Sequence, residues 1–258
     1  VGTLAGLVFG SGAALAQKSG GVLKVYHRDT PPSGSILEEA TNSTLSPYMG
    51  VFNNLVMYDQ HKPTNSLDTI VPDLATEWKW NGDKSQLTFK LRSGVKWHEG
   101  TPSAAKDVQC TFDLLPEKTN HPLRKNPRKA WFTNLDKVTV DSEGQATFHL
   151  KRPQPALIAL LASGYSPIYP CHVAPQDMRL HPIGTGPFKF VEFKPNEHIR
   201  VEKNPDYWRK GRPYLDAIEY KIVPNRSTAV LGFVAGQFDL SWPYSVTVAL
   251  LNDVKNQG

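Results

Sequence analysis

Each residue pattern in this chain that could do chemistry lacks a member. His98 and Glu99 open as a zinc-protease helix would, but Pro102 stands where HExxH needs its second histidine, so no such metal site follows. Gly184 and Gly186 have the spacing of a phosphate loop, yet the next residue is Pro187, which has no N–H to offer an anion. There is no GxSxG elbow and no P-loop lysine. The eight histidines are scattered, with no pair at i, i+4 spacing. The adjacent carboxylates Glu38 and Glu39 lie in a polar stretch and read as solvated. Cys110 and Cys171 show no CxxC spacing, which argues against zinc. Their separation leaves both a disulfide and two separate thiols open. These patterns suit holding a molecule better than transforming it, so the chain reads as a non-enzyme without a cofactor.

Composition sets the frame for those residues. A chain of 258 residues can bury a substantial core. Its 40% hydrophobic and 21% charged content is that of an ordinary globular protein. The net charge of +5 is mild, and the most basic run, His121 to Lys129, is broken by two prolines. That run reads as a solvated loop rather than a helix for reading nucleic acid. Val1 to Ala16 is apolar, small and glycine-containing, and ends in Ala14-Leu15-Ala16. It fits the core and cleavage site of a clipped secretory signal and is too short to span a bilayer, which takes about 20 apolar residues.

The elements that must position any site follow from periodicity. Val22 to His27 reads as a buried strand, followed by a proline-rich loop from Asp29 to Ser35. Pro47 to Tyr58 reads as a helix, from Met49, Phe52 and Val56. Trp78 and Trp80 share one face of a strand, and Leu87, Phe89 and Leu91 one face of the next, with Asn81-Gly82 as the reversing turn. Ala104 to Leu115 is a helix with Val108, Phe112 and Leu115 on one stripe. Hairpins follow around Glu143-Gly144 and Pro195-Asn196, with a short apolar helix from Pro155 to Leu161 between them. Tyr214 to Val223 is a strand, and Asn225 caps a helix running to Ala235. The pattern is α+β with mixed sheets.

Four segments in order carry a resemblance. Pro72 to Asp107 (PDLATEWKWNGDKSQLTFKLRSGVKWHEGTPSAAKD) resembles the hairpin of the form PxLAxxW…TFxLRxGVKxHxGxP in the N-terminal lobe of the family 5 extracellular solute-binding proteins. Those are the peptide- and nickel-binding components of ABC importers. Gly184 to Phe188 resembles that family's GTGP(Y/F) turn, and Asn204 to Trp208 its NPxYW element. Pro213 to Ile218 and Ile222 to Leu240 resemble the strand–helix–strand that follows.

The resemblance implies a periplasmic binding protein-like type II fold of which this chain is the first lobe, with mixed sheets, β-hairpins and the second lobe absent. Residues 1–16 would be the signal remnant, 17–240 the lobe and 241–258 the crossover toward the missing partner. A lobe alone is expected to bind solute weakly or not at all. The implied function is periplasmic capture of an oligopeptide or dipeptide and delivery to the permease subunits of an ABC importer, with no nucleic-acid partner and no membrane span. A metal-chelate or haem receptor of the same family and an exported hydrolase are the alternatives.

Matched segments also imply the ligand contacts. Asp29, Thr30, Pro31 and Ser33 fall in the loop that lines the family's cleft. Leu123 and Arg124 fall where peptide-binding relatives place an aromatic residue, and Trp131 downstream is a substitute for it or a core residue. Tyr165 falls in a cleft-facing loop, and Trp242, Tyr244 and Ser245 in the crossover. Trp78, Trp80, Trp97, Tyr207 and Trp208 lie in motifs that look structural.

Overall fold

The computed structural model describes residues 18–241 together with Thr247, Asn252 and Lys255. The signal reading of residues 1–16, the crossover beyond Ser241 and the contacts expected of Trp242, Tyr244 and Ser245 lie outside the described residues.

Two larger sheets share one apolar core. The first is built from β1 (Val22–His27), β8 (Phe188–Lys194), β9 (His198–Lys203), β10 (Ala217–Ile222) and β11 (Leu240–Ser241), in the order β11-β1-β10-β9-β8. β1 runs parallel to β10 and β11, whereas β10, β9 and β8 are antiparallel. The second is an antiparallel sheet of β4 (Ala75–Trp80), β5 (Gln86–Leu91), β6 (Leu135–Ser142) and β7 (Gln145–Leu150), in the order β4-β5-β7-β6. A two-stranded ribbon, β2 (Val56–Tyr58) with β3 (Ile70–Pro72), joins them.

Strand alternation decides which faces meet. Leu87, Phe89, Ala146 and Phe148 point inward from β5 and β7 and are fully buried. α2 (Ala105–Leu114) lays Val108 and Phe112 on that face, with the Phe112 ring 4.7 Å from Phe148 and 5.5 Å from Phe132. Asp107 starts this helix by accepting the Ala104 N–H at 2.9 Å. The same carboxylate accepts the Cys171 N–H at 2.9 Å and faces the Trp97 indole N–H at 3.4 Å. A disulfide between Cys110 and Cys171, with Cα atoms 5.6 Å apart, fastens α2 to the segment after Tyr169. On the reverse face of the five-stranded sheet, α5 (Arg226–Val234) covers Tyr26 with Ala229 and Phe233. Asn225 caps it by accepting the Thr228 N–H at 2.9 Å.

Two local expectations differ from the structure. The helix expected over Pro47–Tyr58 instead lies earlier, as α1 (Asn42–Tyr48), followed by a tight turn at Met49–Val51 and then by β2. Tertiary bonds override the helical spacing, because Val51 O accepts the Gly186 N–H and Asn53 O accepts the Ile168 N–H. The β4–β5 reversal is a longer loop in which Lys84, not Gly82, takes the left-handed conformation (φ 61). Asn81 Oδ1 closes that loop by accepting the Ser85 and Gln86 N–H groups. Two short helices, α3 (Leu157–Leu161) and α4 (Pro175–Leu180), complete the lobe, and α4 had no periodic signal.

Candidate functional site

Three loops far apart in sequence meet beside α1: residues 28–39, 123–131 and 163–166. The first leaves the end of β1 and turns back into the core at Ile36 and Leu37, which drags Glu38 and Glu39 inside. Both carboxylates are buried, at 1% and 5% exposure, so the expectation that they are solvated is wrong. An ionised carboxylate in the interior is stable only when paired and hydrogen-bonded. Arg179 from α4 supplies a two-pronged pair to Glu38 at 2.7 and 2.9 Å. The Arg124 guanidinium takes Glu39 at 2.9 Å, while its backbone N–H donates to Glu38. Ser33 Oγ adds a hydrogen bond to Glu39 at 3.0 Å.

Arg128 completes the junction in a different way. It is 2% exposed and donates to the carbonyls of Ile36, Leu37 and Glu39 rather than to a carboxylate. Burial pushes its pKa down from the ordinary arginine value, from a level high enough that the guanidinium stays charged. The Tyr165 ring lies over it at 4.1 Å, and Trp131 meets Tyr165 edge-on at 6.1 Å. Tyr165 Oη donates to Asn42 Oδ1 at 3.0 Å. The segment from His121 to Lys129 is a loop and mostly exposed, as expected from its charges, but Leu123 and Arg128 are buried.

The expected ligand residues fall into three groups. Ser33, Leu123, Arg124 and Tyr165 gather around the Glu39–Arg128 junction, with Ser33 and Leu123 buried and Arg124 half-exposed. Asp29 and Thr30 stand at the other end of the first loop. Asp29 is exposed and pairs with its neighbour Arg28 at 3.0 Å. Thr30 exchanges hydrogen bonds with Asn196 at the β8–β9 tip, at 2.8 and 2.9 Å. Pro31 is buried between them. The crossover residues are outside the described chain. Sequence reasoning missed Glu38, Glu39, Arg128 and Arg179. The available signal was the apolar pair Ile36-Leu37 directly before the glutamates, which marks a segment entering the core.

The motif residues form a separate hydrogen-bond network. Asn53 is its hub. Its amide N–H groups reach both Asp73 oxygens at 3.1 Å, and its Oδ1 accepts from Thr185 Oγ1 at 3.1 Å and from the Trp208 indole at 3.2 Å. Arg92 and Arg209 each stack on Trp208, at 4.3 and 4.7 Å. Burial raises the Asp73 pKa, and the Asn54 N–H, Arg209 and Asn53 oppose that shift. Trp97 is core, and Trp78 and Trp80 pack partly against the core.

Comparison with known proteins agrees with this arrangement. Residues 69–257 match the family model described as bacterial extracellular solute-binding proteins, family 5 Middle. A putative ABC transporter peptide-binding protein of Brucella ovis is 30% identical over 202 residues, which cover 74% of this chain and 36% of that protein. The periplasmic binding protein DppA of Helicobacter pylori, solved with the peptide STSA, superposes with a TM-score of 0.81 at 24% identity, covering 93% of this chain and 49% of that one. The oligopeptide-binding protein AppA of Bacillus subtilis, solved with a nonapeptide, gives 0.78 at 26% identity, covering 93% and 46%. The chain thus spans about a third of the curated relative and about half of each solved chain. Its architecture is that of a partial type II periplasmic binding protein domain, and the chain belongs to the family 5 bacterial extracellular solute-binding proteins.

Proposed function

We propose that this chain forms one wall of a solute receptor that captures its cargo outside the cytoplasm and hands it to the permease of an ABC importer. The observation that carries this reading is the convergence of the 28–39, 123–131 and 163–166 loops on one buried junction in a chain of this family. Loops pinned that tightly present a preorganised surface, which lowers the ordering cost of binding. Asp29, Thr30, Pro31, Ser33, Leu123, Arg124 and Tyr165 belong to that wall or support it from beneath, and Trp242, Tyr244 and Ser245 would extend it.

The cargo we favour is an oligopeptide or dipeptide. Support comes from the relatives, since the Brucella protein is named as a peptide-binding protein and both solved proteins hold peptides. Among the described residues no helix is long and apolar enough to cross a membrane. Export rests on the apolar segment Val1 to Ala16 and on the family.

The test is to purify the full-length protein that carries this lobe from its native compartment, release bound small molecules with acid and identify them by mass spectrometry. Peptides should be recovered, and the stripped protein should rebind them in calorimetry. Recovery of a metal chelate or haem would replace the cargo assignment. Turnover of a peptide by the pure protein would overturn the receptor reading.

A further inference from the structure

Five ionised side chains meet at the loop junction, and their charges do not cancel. Glu38 and Glu39 contribute two negative charges; Arg124, Arg128 and Arg179 contribute three positive ones. Arg179 and Arg124 take the two carboxylates, so the surplus charge belongs to Arg128. Its Nη groups are spent on carbonyl oxygens, and its Nε–H is buried with no partner among the described residues. A buried cation without a direct ion pair is costly, and the fold meets that cost with carbonyl dipoles, the Tyr165 ring and the nearby Glu39 charge, which Arg124 already pairs.

The arrangement has direction. Arg128 is closed off beneath, whereas Tyr165 is half-buried and Trp131 is 40% exposed. Two aromatic side chains therefore form a shelf at the surface with a fixed positive charge under it. The cation draws on one face of the Tyr165 π system. What approaches the shelf from outside meets the positive potential of Arg128 and, to one side, the half-exposed Arg124. A carboxylate gains there, and an ammonium group loses.

We infer that the Arg128–Tyr165–Trp131 stack is a specificity-determining shelf that selects solutes bearing an anionic group over cationic ones. This deepens the receptor reading and rests on it. Arg128 acts through the rings as a positioning and charging residue, while Tyr165 and Trp131 make the contact.

The experiment measures binding of matched tripeptides to the full-length protein that carries this lobe by calorimetry at pH 7. Glutamate, glutamine or lysine is placed in turn at each position of an alanine tripeptide. At one position the glutamate form should bind at least about tenfold tighter than the lysine form, with glutamine between them. Arg128→Met should erase that order. Trp131→Glu, which leaves the hydrogen bonds of Arg128, Glu38 and Glu39 in place, should erase or reverse it even if Arg128→Met fails to fold. The order should also weaken as salt is raised. Equal binding of the glutamate and lysine forms at every position overturns the inference while leaving the receptor reading standing. So does a charge order that survives Trp131→Glu. Failure of every tripeptide to bind, with no copurifying solute, overturns the receptor reading and the inference together.

Discussion

The imidazole of His98 and the carbonyl of Gly186 lie 3.1 Å apart, and the Gly184 N–H points back at the other ring nitrogen at 3.3 Å. The ring thus clips both ends of one turn. Nδ1 accepts from Gly184, which leaves the proton on Nε2 to be donated to Gly186. A neutral imidazole does this and an imidazolium cannot. Burial is the main cause that holds the His98 pKa down at about 4, against an ordinary 6.5. Above pH 6.5 both folded and unfolded chains carry the neutral ring, and the full stability is present. As pH falls from 6.5 toward 4, the unfolded chain takes up a proton that the folded chain refuses. Stability should fall by about 3 kcal/mol over that window. Urea unfolding at a series of pH values checks this. His98→Gln should be less stable at pH 7.5 and lose most of the acid slope, although buried His27, whose pKa is also lowered, retains a part. An unchanged slope in the variant would show that the clip does not titrate as argued.

The turn that His98 holds has no room for a side chain. A Cβ on Gly184 would sit 2.0 Å from Val51 O, and one on Gly186 would sit 2.5 Å from Gly50 O. Both contacts are with backbone, which cannot swing aside. Gly184→Ala should therefore cost at least about 3 kcal/mol or prevent folding. Gly144→Ala, in an open hairpin turn, should cost under about 1 kcal/mol. Similar urea midpoints for the two variants would contradict the packing.

Periodicity made most of the fold legible. The hairpins around Asn81, Gly144 and Asn196 were legible from their turn residues and apolar runs, although each carries a register shift, and the Val108–Phe112 stripe marks α2 because both residues face inward. The failures share a cause. Phe52 and Val56 have helical spacing, but Gly186 and Ile168 claim the carbonyls of Val51 and Asn53, and no local pattern encodes partners more than a hundred residues away. The site was harder still. Charge is usually a sign of exposure, so Glu38, Glu39 and Arg128 read as surface until Arg179 and three backbone carbonyls come into view. Thr30, Ser33, Arg124 and Tyr165 came from matched family segments, not from any property that their neighbours display.

Glu38 and Arg179 form the most enclosed ion pair of the loop junction, with the carboxylate fully buried and the guanidinium about a quarter exposed. Arg179→Met would leave the carboxylate to Arg124's backbone N–H alone. The expected loss is about 3 kcal/mol, as for a buried pair broken on one side. The double change Glu38→Leu with Arg179→Met removes the orphaned charge and should recover a good part of that loss. Thermal unfolding of the wild type, the two single variants Glu38→Leu and Arg179→Met and the double variant at pH 7 decides the matter. If the double variant is as unstable as the sum of the singles, desolvated charge is not the cause.

The Cys110–Cys171 disulfide closes a loop with a sequence separation of 61 residues, and the loop holds β6, β7 and α3. Chain-entropy arguments give such a cross-link about 4 kcal/mol through restriction of the unfolded chain. The double change to serine should lower stability by an amount of that order, and a reductant should lower the wild type to match it. Insensitivity of the wild type to reductant under unfolding conditions would mean that the sulfurs are not joined in the isolated protein.

Thr30 and Asn196 offer a test of the wall that leaves the core untouched. Their two hydrogen bonds tie the loop after β1 to the β8–β9 tip, and both residues lie near the surface. Asn196 has a left-handed backbone (φ 63), so its N–H is aimed at Thr30 by conformation and its Oδ1 by the side chain. Thr30→Val keeps the shape and removes both bonds. Asn196→Gly keeps the left-handed conformation and the N–H bond and removes the other. If the loop lines the cleft, Thr30→Val should weaken peptide binding about tenfold, and Asn196→Gly should weaken it less. Neither should move the urea midpoint by more than a small fraction of its value. Calorimetry on the full-length protein that carries this lobe reads the first effect and urea unfolding the second. Loss of stability without loss of affinity would make the pair a brace for the fold and remove the 28–33 loop from the binding surface.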